Sequence, residues 1–254
     1  MVDNIKIYSK NLNKEMNLSV YVPDEYKFER LPVLYFLHGR SGNEKILEQL
    51  SLDKNMDKLI NDKKIKPFII VCPNIDNSRG INSSLKYREE KGKYGLVFKG
   101  LYEDYFIDEV IPYIDEKFNT LSLRENRFIG GISSGGYAAI HNGLRHNELF
   151  LKVGGHMPAI DLSFEDEDEC YFENEEMWLK YDPITIAENR DFNNTEVYLD
   201  DGNQDVGRFY LACDKLYKIL KEKNISVQNH VFEGNHDGEY VLRNIEKYLL
   251  FYGN

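Results

Sequence analysis

Short apolar runs recur at even spacing along the chain and predict the strands of a β-sheet. Near the start, residues 5–9 and 18–22 alternate between apolar and polar positions, which predicts two strands that each expose one face. The polar turn at residues 10–14 favours an antiparallel pair at a sheet edge. Residues 32–37 and 67–73 are instead continuously apolar, which is typical of strands covered on both faces.

Later in the chain, apolar runs alternate with segments of helical periodicity. A strand is predicted to end at residue 132, and further strands are predicted at residues 150–155, 195–199 and 227–232. Helices are predicted between them at residues 105–118, 134–146 and 208–221, with a closing helix after residue 238. Pro112 is expected to bend the first of these helices. This alternation predicts an α/β fold with a mostly parallel central sheet flanked by helices.

No Gly/Ser-rich or Pro-rich linker and no internal repeat divides the chain, so a single domain over residues 1–254 is expected. Two stretches interrupt the regular pattern. Residues 74–100 lack clear periodicity and are predicted to form a long loop at the edge of a cleft. Residues 161–176 hold nine acidic side chains and no basic ones, and are expected to be a solvated insertion. The insertion suits a cap or lip at about residues 160–190.

The net charge of the chain limits the classes of molecule that it is expected to bind. With 43 acidic and 32 basic residues the formal charge is −11, which argues against nucleic acid and anionic membranes as partners because both require a basic face.

No apolar run is long enough to span a bilayer, and the first residues lack the pattern of a signal peptide, so a cytoplasmic location is expected. Three widely separated cysteines indicate neither a disulfide framework nor a metal site. The sequence does not determine the oligomeric state, and a homo-oligomer is one alternative.

The chemistry centres on residues 128–139, where an apolar strand passes through G-x-S-x-G into a helix of small residues. This order is typical of a nucleophile elbow, with Ser133 as the nucleophile. Gly131 and Gly135 are expected because a Cβ at either position would collide with the strand or the helix. Ser134 fits the nucleophile position less well, but its backbone N–H is placed to bind the oxygen of a tetrahedral intermediate.

The partners of the serine are sought at the carboxyl ends of other strands, because parallel strands end at the same sheet edge. Asp205 and His236 follow two such ends, and an imidazole oriented by a carboxylate can take the serine proton at neutral pH. Asp200 and Asp201 lie closer to the strand end and remain alternatives for the acid. His156 also follows a strand, but it precedes the acid in the chain and is interpreted as a substrate contact.

Four motifs together resemble the putative-esterase family of α/β-hydrolases, which includes esterase D, tributyrin esterases and feruloyl esterases. The motifs are Leu37-His38-Gly39, Gly131-Ile132-Ser133-Ser134-Gly135-Gly136-Tyr137, Asp200-x-Gly202-x-x-Asp205 and Gly234-x-His236. The resemblance implies an α/β-hydrolase fold over nearly the whole chain. It also implies a function for five residues: Ser133 as nucleophile, His236 as base, Asp205 as acid, and the backbone N–H groups of Arg40 and Ser134 as the oxyanion hole.

The expected function is a serine carboxylesterase that hydrolyses small acyl or cinnamoyl-type esters through an acyl-enzyme. Such an enzyme requires a small-molecule ester substrate and neither metal nor cofactor. Acyl transfer and thioester hydrolysis use the same triad and remain alternatives. The loop at residues 39–43 lacks the cysteine typical of S-formylglutathione hydrolases, which places the chain nearer the tributyrin and feruloyl esterases. A non-catalytic α/β-hydrolase that binds a carbohydrate or a protein is a further alternative.

Overall fold

The computed structural model describes residues 1–118 and 120–254, with ten β-strands in two sheets. In chain order these are β1 (Val2–Ser9), β2 (Lys14–Tyr21), β3 (Val33–Leu37), β4 (Ile69–Pro73), β5 (Arg88–Gly92), β6 (Gly95–Lys99), β7 (Arg127–Ile132), β8 (Lys152–His156), β9 (Glu196–Gly202) and β10 (Ser226–Phe232). Strands β5 and β6 form a separate antiparallel hairpin. The other eight strands form the central sheet.

The central sheet has the strand order β1-β2-β4-β3-β7-β8-β9-β10. Strand β2 is antiparallel to both of its neighbours, and every later pair is parallel. The predicted fold class is therefore confirmed, including the antiparallel strands at the amino-terminal edge. The parallel strands all end at one edge of the sheet, where Leu37 pairs with Gly131 and Ile132 pairs with His156. The sheet thus brings the predicted chemical motifs to one edge.

Helices cover both faces of the sheet. They are α1 (Ile46–Gln49), α2 (Leu52–Asn61), α3 (Tyr102–Asp104), α4 (Ile111–Phe118), α5 (Ser134–Arg145), α6 (Glu169–Phe172), α7 (Glu175–Tyr181), α8 (Pro183–Asn189), α9 (Tyr210–Glu222) and α10 (Gly238–Gly253). A π-helical turn, Tyr105–Val110, joins α3 to α4 directly before Pro112, which has no N–H to donate within a regular helix. Among the described residues, no helix combines the length and apolar character needed to cross a membrane.

The hydrophobic core lies on both sides of the central strands. Every residue of β3 is buried, and alternation sends Tyr35 to one face and Leu34 and Phe36 to the other. One face packs against α4, α5 and α9, and the other packs against α2 and α10. Burial on both faces explains why residues 32–37 and 67–73 are continuously apolar.

The prediction of a structureless loop at residues 74–100 is wrong in part, because the β5–β6 hairpin lies within it. Strand β5 is mostly charged and largely exposed, so it carries no hydrophobic alternation that would indicate a strand. Charge pairing contributes to holding the hairpin in place. Arg88 lies 2.7 Å and Lys99 3.4 Å from the carboxylate of Glu173, which follows α6.

The acidic segment, residues 161–176, differs from the expected solvated insertion at Asp168. That side chain is fully buried, because the guanidinium of Arg79 lies 3.1 Å away and is itself buried. Arg79 also stacks against the rings of Tyr137 and Tyr171, with its guanidinium carbon within 5.0 Å of both ring centroids. The remaining acidic side chains of the segment are exposed or partly exposed. The buried ion pair of Arg79 with Asp168 therefore contributes to fixing the segment at the sheet edge.

Candidate active site

Ser133 occupies a strained turn between β7 and α5. Its backbone has φ +52° and ψ −120°, a conformation that is costly for a residue with a Cβ. Three hydrogen bonds hold it: the Ser133 N–H donates to the His156 carbonyl at 3.0 Å, and the Ser133 carbonyl accepts from Tyr137 and Ala159 at 2.9 and 3.0 Å. The turn presents the serine hydroxyl at the carboxyl edge of the sheet, as the predicted nucleophile elbow requires.

Two glycines make this turn sterically feasible. A Cβ on Gly131 would lie 2.4 Å from the Gly135 carbonyl oxygen, and a Cβ on Gly135 would lie 2.3 Å from the carbonyl oxygens of both Leu37 and His38. All of these neighbours are backbone atoms and cannot rotate away. The steric explanation for the two glycines of the motif is therefore confirmed.

We expect Gly135→Ala to lower the free energy of unfolding by about 3 kcal/mol, because strand β3 or helix α5 must move to accommodate the new methyl group. Thermal and chemical denaturation of the purified variants measure the loss. Gly238→Ala is the matched control, since a Cβ at Gly238 meets nothing within 4 Å. An equal effect of the two substitutions would contradict the steric explanation.

His236 connects Ser133 to a carboxylate. Its Nε2 lies 2.8 Å from the Ser133 Oγ, and its Nδ1 lies 3.2 Å from Oδ2 of Asp205. The ring of Phe209 packs edge-on against the imidazole, with the two centroids 5.3 Å apart. With Nδ1–H donating to the carboxylate, Nε2 is the atom free to accept the serine proton.

The loop after β9 carries Asp205 to the histidine. Gly202 permits this approach, because a Cβ there would lie 2.3 Å from the carbonyl oxygen of Gly234 in the loop that leads to His236. The Gln204 N–H also donates to that carbonyl at 2.8 Å. The second carboxylate oxygen of Asp205, Oδ1, accepts the Gly207 N–H at 2.8 Å. The carboxylate is thereby fixed with Oδ2 toward the imidazole.

The two alternative acids point elsewhere. Asp200 is fully buried and accepts hydrogen bonds from Tyr240 and Tyr248 at 2.7 and 3.1 Å. Asp201 lies on the opposite side of the same strand and is also fully buried. Burial raises the pKa of Asp201 well above its usual range, with a smaller opposing effect of the adjacent Cys213 thiol. Of the three carboxylates, only Asp205 contacts His236 in the structure.

The interpretation of His156 as a substrate contact is wrong. Its side chain is fully buried, and its ring stacks on that of Tyr248 at a centroid distance of 3.7 Å. The imidazole nitrogens lie 3.2 Å from Asp200 and 3.0 Å from the Tyr252 hydroxyl. The sequence places this histidine correctly at a strand end, but its ring lies beneath the sheet edge, in contact with α10.

The two segments that carry the predicted oxyanion donors lie next to Ser133. Ser134 begins α5, so its N–H has no acceptor within the helix. The loop that carries Arg40 lies against the serine, since a Cβ on Gly39 would be 3.4 Å from the Ser133 Cβ. The buried His38 fixes this loop: Nδ1 lies 2.8 Å from the Gly39 carbonyl, and Nε2 accepts the Ile75 N–H at 3.1 Å. Burial lowers the pKa of His38, which favours this neutral form.

A cavity of about 560 Å³ is lined in part by Phe209, whose ring packs against His236, but neither His236 nor Ser133 lines it. Its lining is mixed, with apolar side chains, two cations and several carboxylates, among them Lys93, Ile160, Asp161, Glu167, Arg208 and Phe209. Burial raises the pKa of Asp161 to about 7, although the nearby Arg79 guanidinium acts in the opposite direction. This part of the cavity wall therefore changes charge near neutral pH.

A metal site would require several converging ligands. Across residues 1–118 and 120–254, no group of three or more His, Cys, Asp or Glu side chains is arranged to hold a metal ion.

Comparison with known sequences identifies a family that matches most of the chain and a curated relative that matches part of it. The family model described as "Putative esterase" matches residues 9–245. An endo-1,4-beta-xylanase/feruloyl esterase of Xylanibacter ruminicola is 34% identical over 169 residues, which are 62% of this chain and 22% of that protein. The chain thus spans about a fifth of the length of this curated relative.

Solved structures share the fold from end to end. A ferulic acid esterase matches with a TM-score of 0.84 at 22% identity, and the alignment covers 100% of this chain and 98% of the other. An S-formylglutathione hydrolase of Staphylococcus aureus matches with a TM-score of 0.78 at 22% identity, covering 100% and 99% of the two chains.

Proposed function

The chain belongs to the putative esterase family, and we propose that it is a serine carboxylesterase that cleaves small acyl or cinnamoyl-type esters through an acyl-enzyme. The family is the one that the four motifs predicted. The observation that carries the proposal is the continuous hydrogen-bonded path from Asp205 through His236 to Ser133, with distances of 3.2 and 2.8 Å. This path ends at Ser133, which lies on the strained turn between β7 and α5.

In the proposed reaction, Ser133 Oγ attacks the ester carbonyl while His236 Nε2 takes its proton. Asp205 holds the Nδ1–H and stabilises the imidazolium that forms. The developing oxyanion binds the backbone N–H groups of Arg40 and Ser134, and His236 then gives its proton to the departing alcohol. A water molecule, deprotonated by the same imidazole, attacks the acyl-enzyme and releases the acid.

We propose that the cavity next to Phe209 receives part of the substrate, where its charges favour an uncharged ester over an anionic one. Its wall includes Asp161, Glu165, Asp166 and Glu167 against the two cations Lys93 and Arg208. The leaving group of S-formylglutathione carries carboxylates, which this wall would repel, most strongly at low salt because dissolved ions screen exposed charges. The name of the Xylanibacter relative includes feruloyl esterase, and this is consistent with a substrate that is an ester of an aromatic acid. We therefore propose oxygen esters of small acyl or cinnamoyl groups as the preferred substrates, rather than the glutathione thioester.

We further propose that residues 160–190 act as a cap that shapes the cleft. The acidic segment contributes to the cavity wall, and the β5–β6 hairpin contributes Lys93 from the other side. The two are joined to each other: Tyr171 donates to Asn77 at 2.8 Å, and Asn77 donates to the Leu96 carbonyl at 2.8 Å. The cytoplasmic location, the single domain and a homo-oligomer stay predictions.

The function is tested by hydrolysis of p-nitrophenyl esters from acetate to octanoate, with methyl ferulate and S-formylglutathione assayed in parallel. We expect turnover of the oxygen esters, loss of that turnover after stoichiometric labelling with a fluorophosphonate, and a much lower kcat/KM for S-formylglutathione. If S-formylglutathione is the best substrate, the thioesterase alternative replaces the proposal. If the serine reacts with the fluorophosphonate but the unlabelled enzyme hydrolyses none of the esters, a different substrate or acyl acceptor is required.

A further inference from the structure

A second hydrogen-bonded cluster lies beneath the sheet edge, outside the triad. Asp200 stands at its centre: its Oδ2 accepts the hydroxyls of Tyr240 and Tyr248 at 2.7 and 3.1 Å, and its Oδ1 lies 3.2 Å from His156 Nδ1. The Tyr252 hydroxyl lies 3.0 Å from His156 Nε2. Asp200, His156 and all three tyrosines are almost completely excluded from water.

The directions of these hydrogen bonds form one consistent set. The tyrosine hydroxyls donate, and a neutral imidazole with Nδ1–H donates to Asp200 while its Nε2 accepts from Tyr252. Burial lowers the pKa of His156, which favours the neutral ring. A buried polar network that is fully satisfied defines one arrangement of its members, because any displacement leaves a buried polar group unpaired.

The hydrogen-bonded cluster around Asp200 is connected to each of the three segments that carry the triad residues. The backbone carbonyl of His156 accepts the Ser133 N–H at 3.0 Å. Asp200 precedes the Asp205 loop on β9, and its own carbonyl accepts the Met157 N–H at 2.8 Å. Tyr240 lies in the first turn of α10, directly after His236.

Tyr240 also contacts the loop that carries the histidine. A Cβ on Gly234 would lie 2.8 Å from a ring carbon of Tyr240, so the ring supports the chain just before His236. The Tyr240 N–H donates to the side chain of Asp237, the N-cap of α10, at 2.9 Å. The position of the first turn of α10 therefore sets the position of the imidazole.

We propose that Asp200, acting through Tyr240 and His156, is a positioning residue that holds His236 and Ser133 in register for proton transfer. This inference rests on the proposed function. Misplacing a general base by a fraction of an ångström lowers the rate of the chemical step while substrate binding is unchanged. The role assigned to Asp200 is thus distinct from that of Asp205, which contacts the imidazole directly.

The test compares Tyr240→Phe with Tyr21→Phe. Each substitution removes a hydroxyl that donates to a carboxylate and keeps a buried ring, but Tyr21 donates to Asp57 and lies in β2, outside the Asp200 network. We expect Tyr240→Phe to lower kcat about tenfold with KM changed less than about twofold. Tyr21→Phe should leave kcat within about twofold of wild type while costing similar thermal stability.

The rate at which a fluorophosphonate modifies Ser133 should follow the same pattern, since it depends on His236 and requires no particular ester. Equal effects of the two variants on kcat and on labelling would overturn the positioning role, and so would a change in KM alone or an unaltered Tyr240→Phe enzyme. If wild-type protein is labelled but hydrolyses no ester, the proposed function fails while the labelling rates still decide this inference.

Discussion

Replacing Ser133 with alanine should lower kcat for ester hydrolysis by about 10⁵-fold or more, because no acyl-enzyme can form. The residual rate would come from the oxyanion hole and from substrate binding, which do not need the hydroxyl. The fold should persist, since the three hydrogen bonds at this residue involve its backbone and the strained φ of +52° is available to alanine at a similar cost to serine.

The measurement is steady-state hydrolysis of p-nitrophenyl butyrate, together with fluorophosphonate labelling followed by mass spectrometry. Ser134→Ala is the matched control, because only the backbone N–H of Ser134 is assigned a function. It should retain kcat within about threefold of wild type, while Ser133→Ala neither reacts with the label nor turns over substrate. Loss of labelling in Ser134→Ala with normal labelling of Ser133→Ala would move the nucleophile to the neighbouring serine.

The sequence predicts much of the fold and the elbow because their signals are local. Continuous apolar runs identify strands buried on both faces, as in β3. The glycine at 131 follows from the tight turn itself, because a Cβ there would meet the Gly135 carbonyl, whereas a Cβ at Gly135 would meet the carbonyls of Leu37 and His38. Ser133 and His236 each follow a strand. Because parallel strands end at the same edge of a sheet, the sequence predicts that both residues lie at that edge.

Features that depend on contacts between distant segments could not be predicted. The burial of His156 follows from its contacts with α10, nearly a hundred residues later in the chain. Asp168 looks solvated in an acidic run, and its burial requires Arg79 from the loop after β4. The β5–β6 hairpin likewise lacks a hydrophobic pattern of its own, and its charged residues contact Glu173 in the acidic segment. In each case the local structure depends on a contact with a residue from a distant part of the chain.

Asp205→Asn should lower kcat/KM by about 10⁴-fold, because the amide inverts the tautomer of His236. In the present structure Oδ1 accepts the Gly207 N–H at 2.8 Å, and Oδ2 faces His236 Nδ1 at 3.2 Å. An asparagine keeps its carbonyl oxygen on Gly207 and therefore turns its NH₂ group toward the imidazole. Nδ1 must then accept, the proton moves to Nε2, and Nε2 can no longer take the proton of Ser133.

Asp201→Asn is the comparison that decides which carboxylate serves as the acid. Burial raises the pKa of Asp201 well above its usual range, and an amide in its place has almost the same shape and size as the carboxyl group. We expect kcat/KM within about threefold of wild type for this variant, measured over pH 5–9 beside Asp205→Asn. A reversed result would assign the acid to Asp201 and would require the β9 loop to rearrange in the active enzyme. The near-isosteric pair therefore separates loss of the His236 partner from general damage to β9.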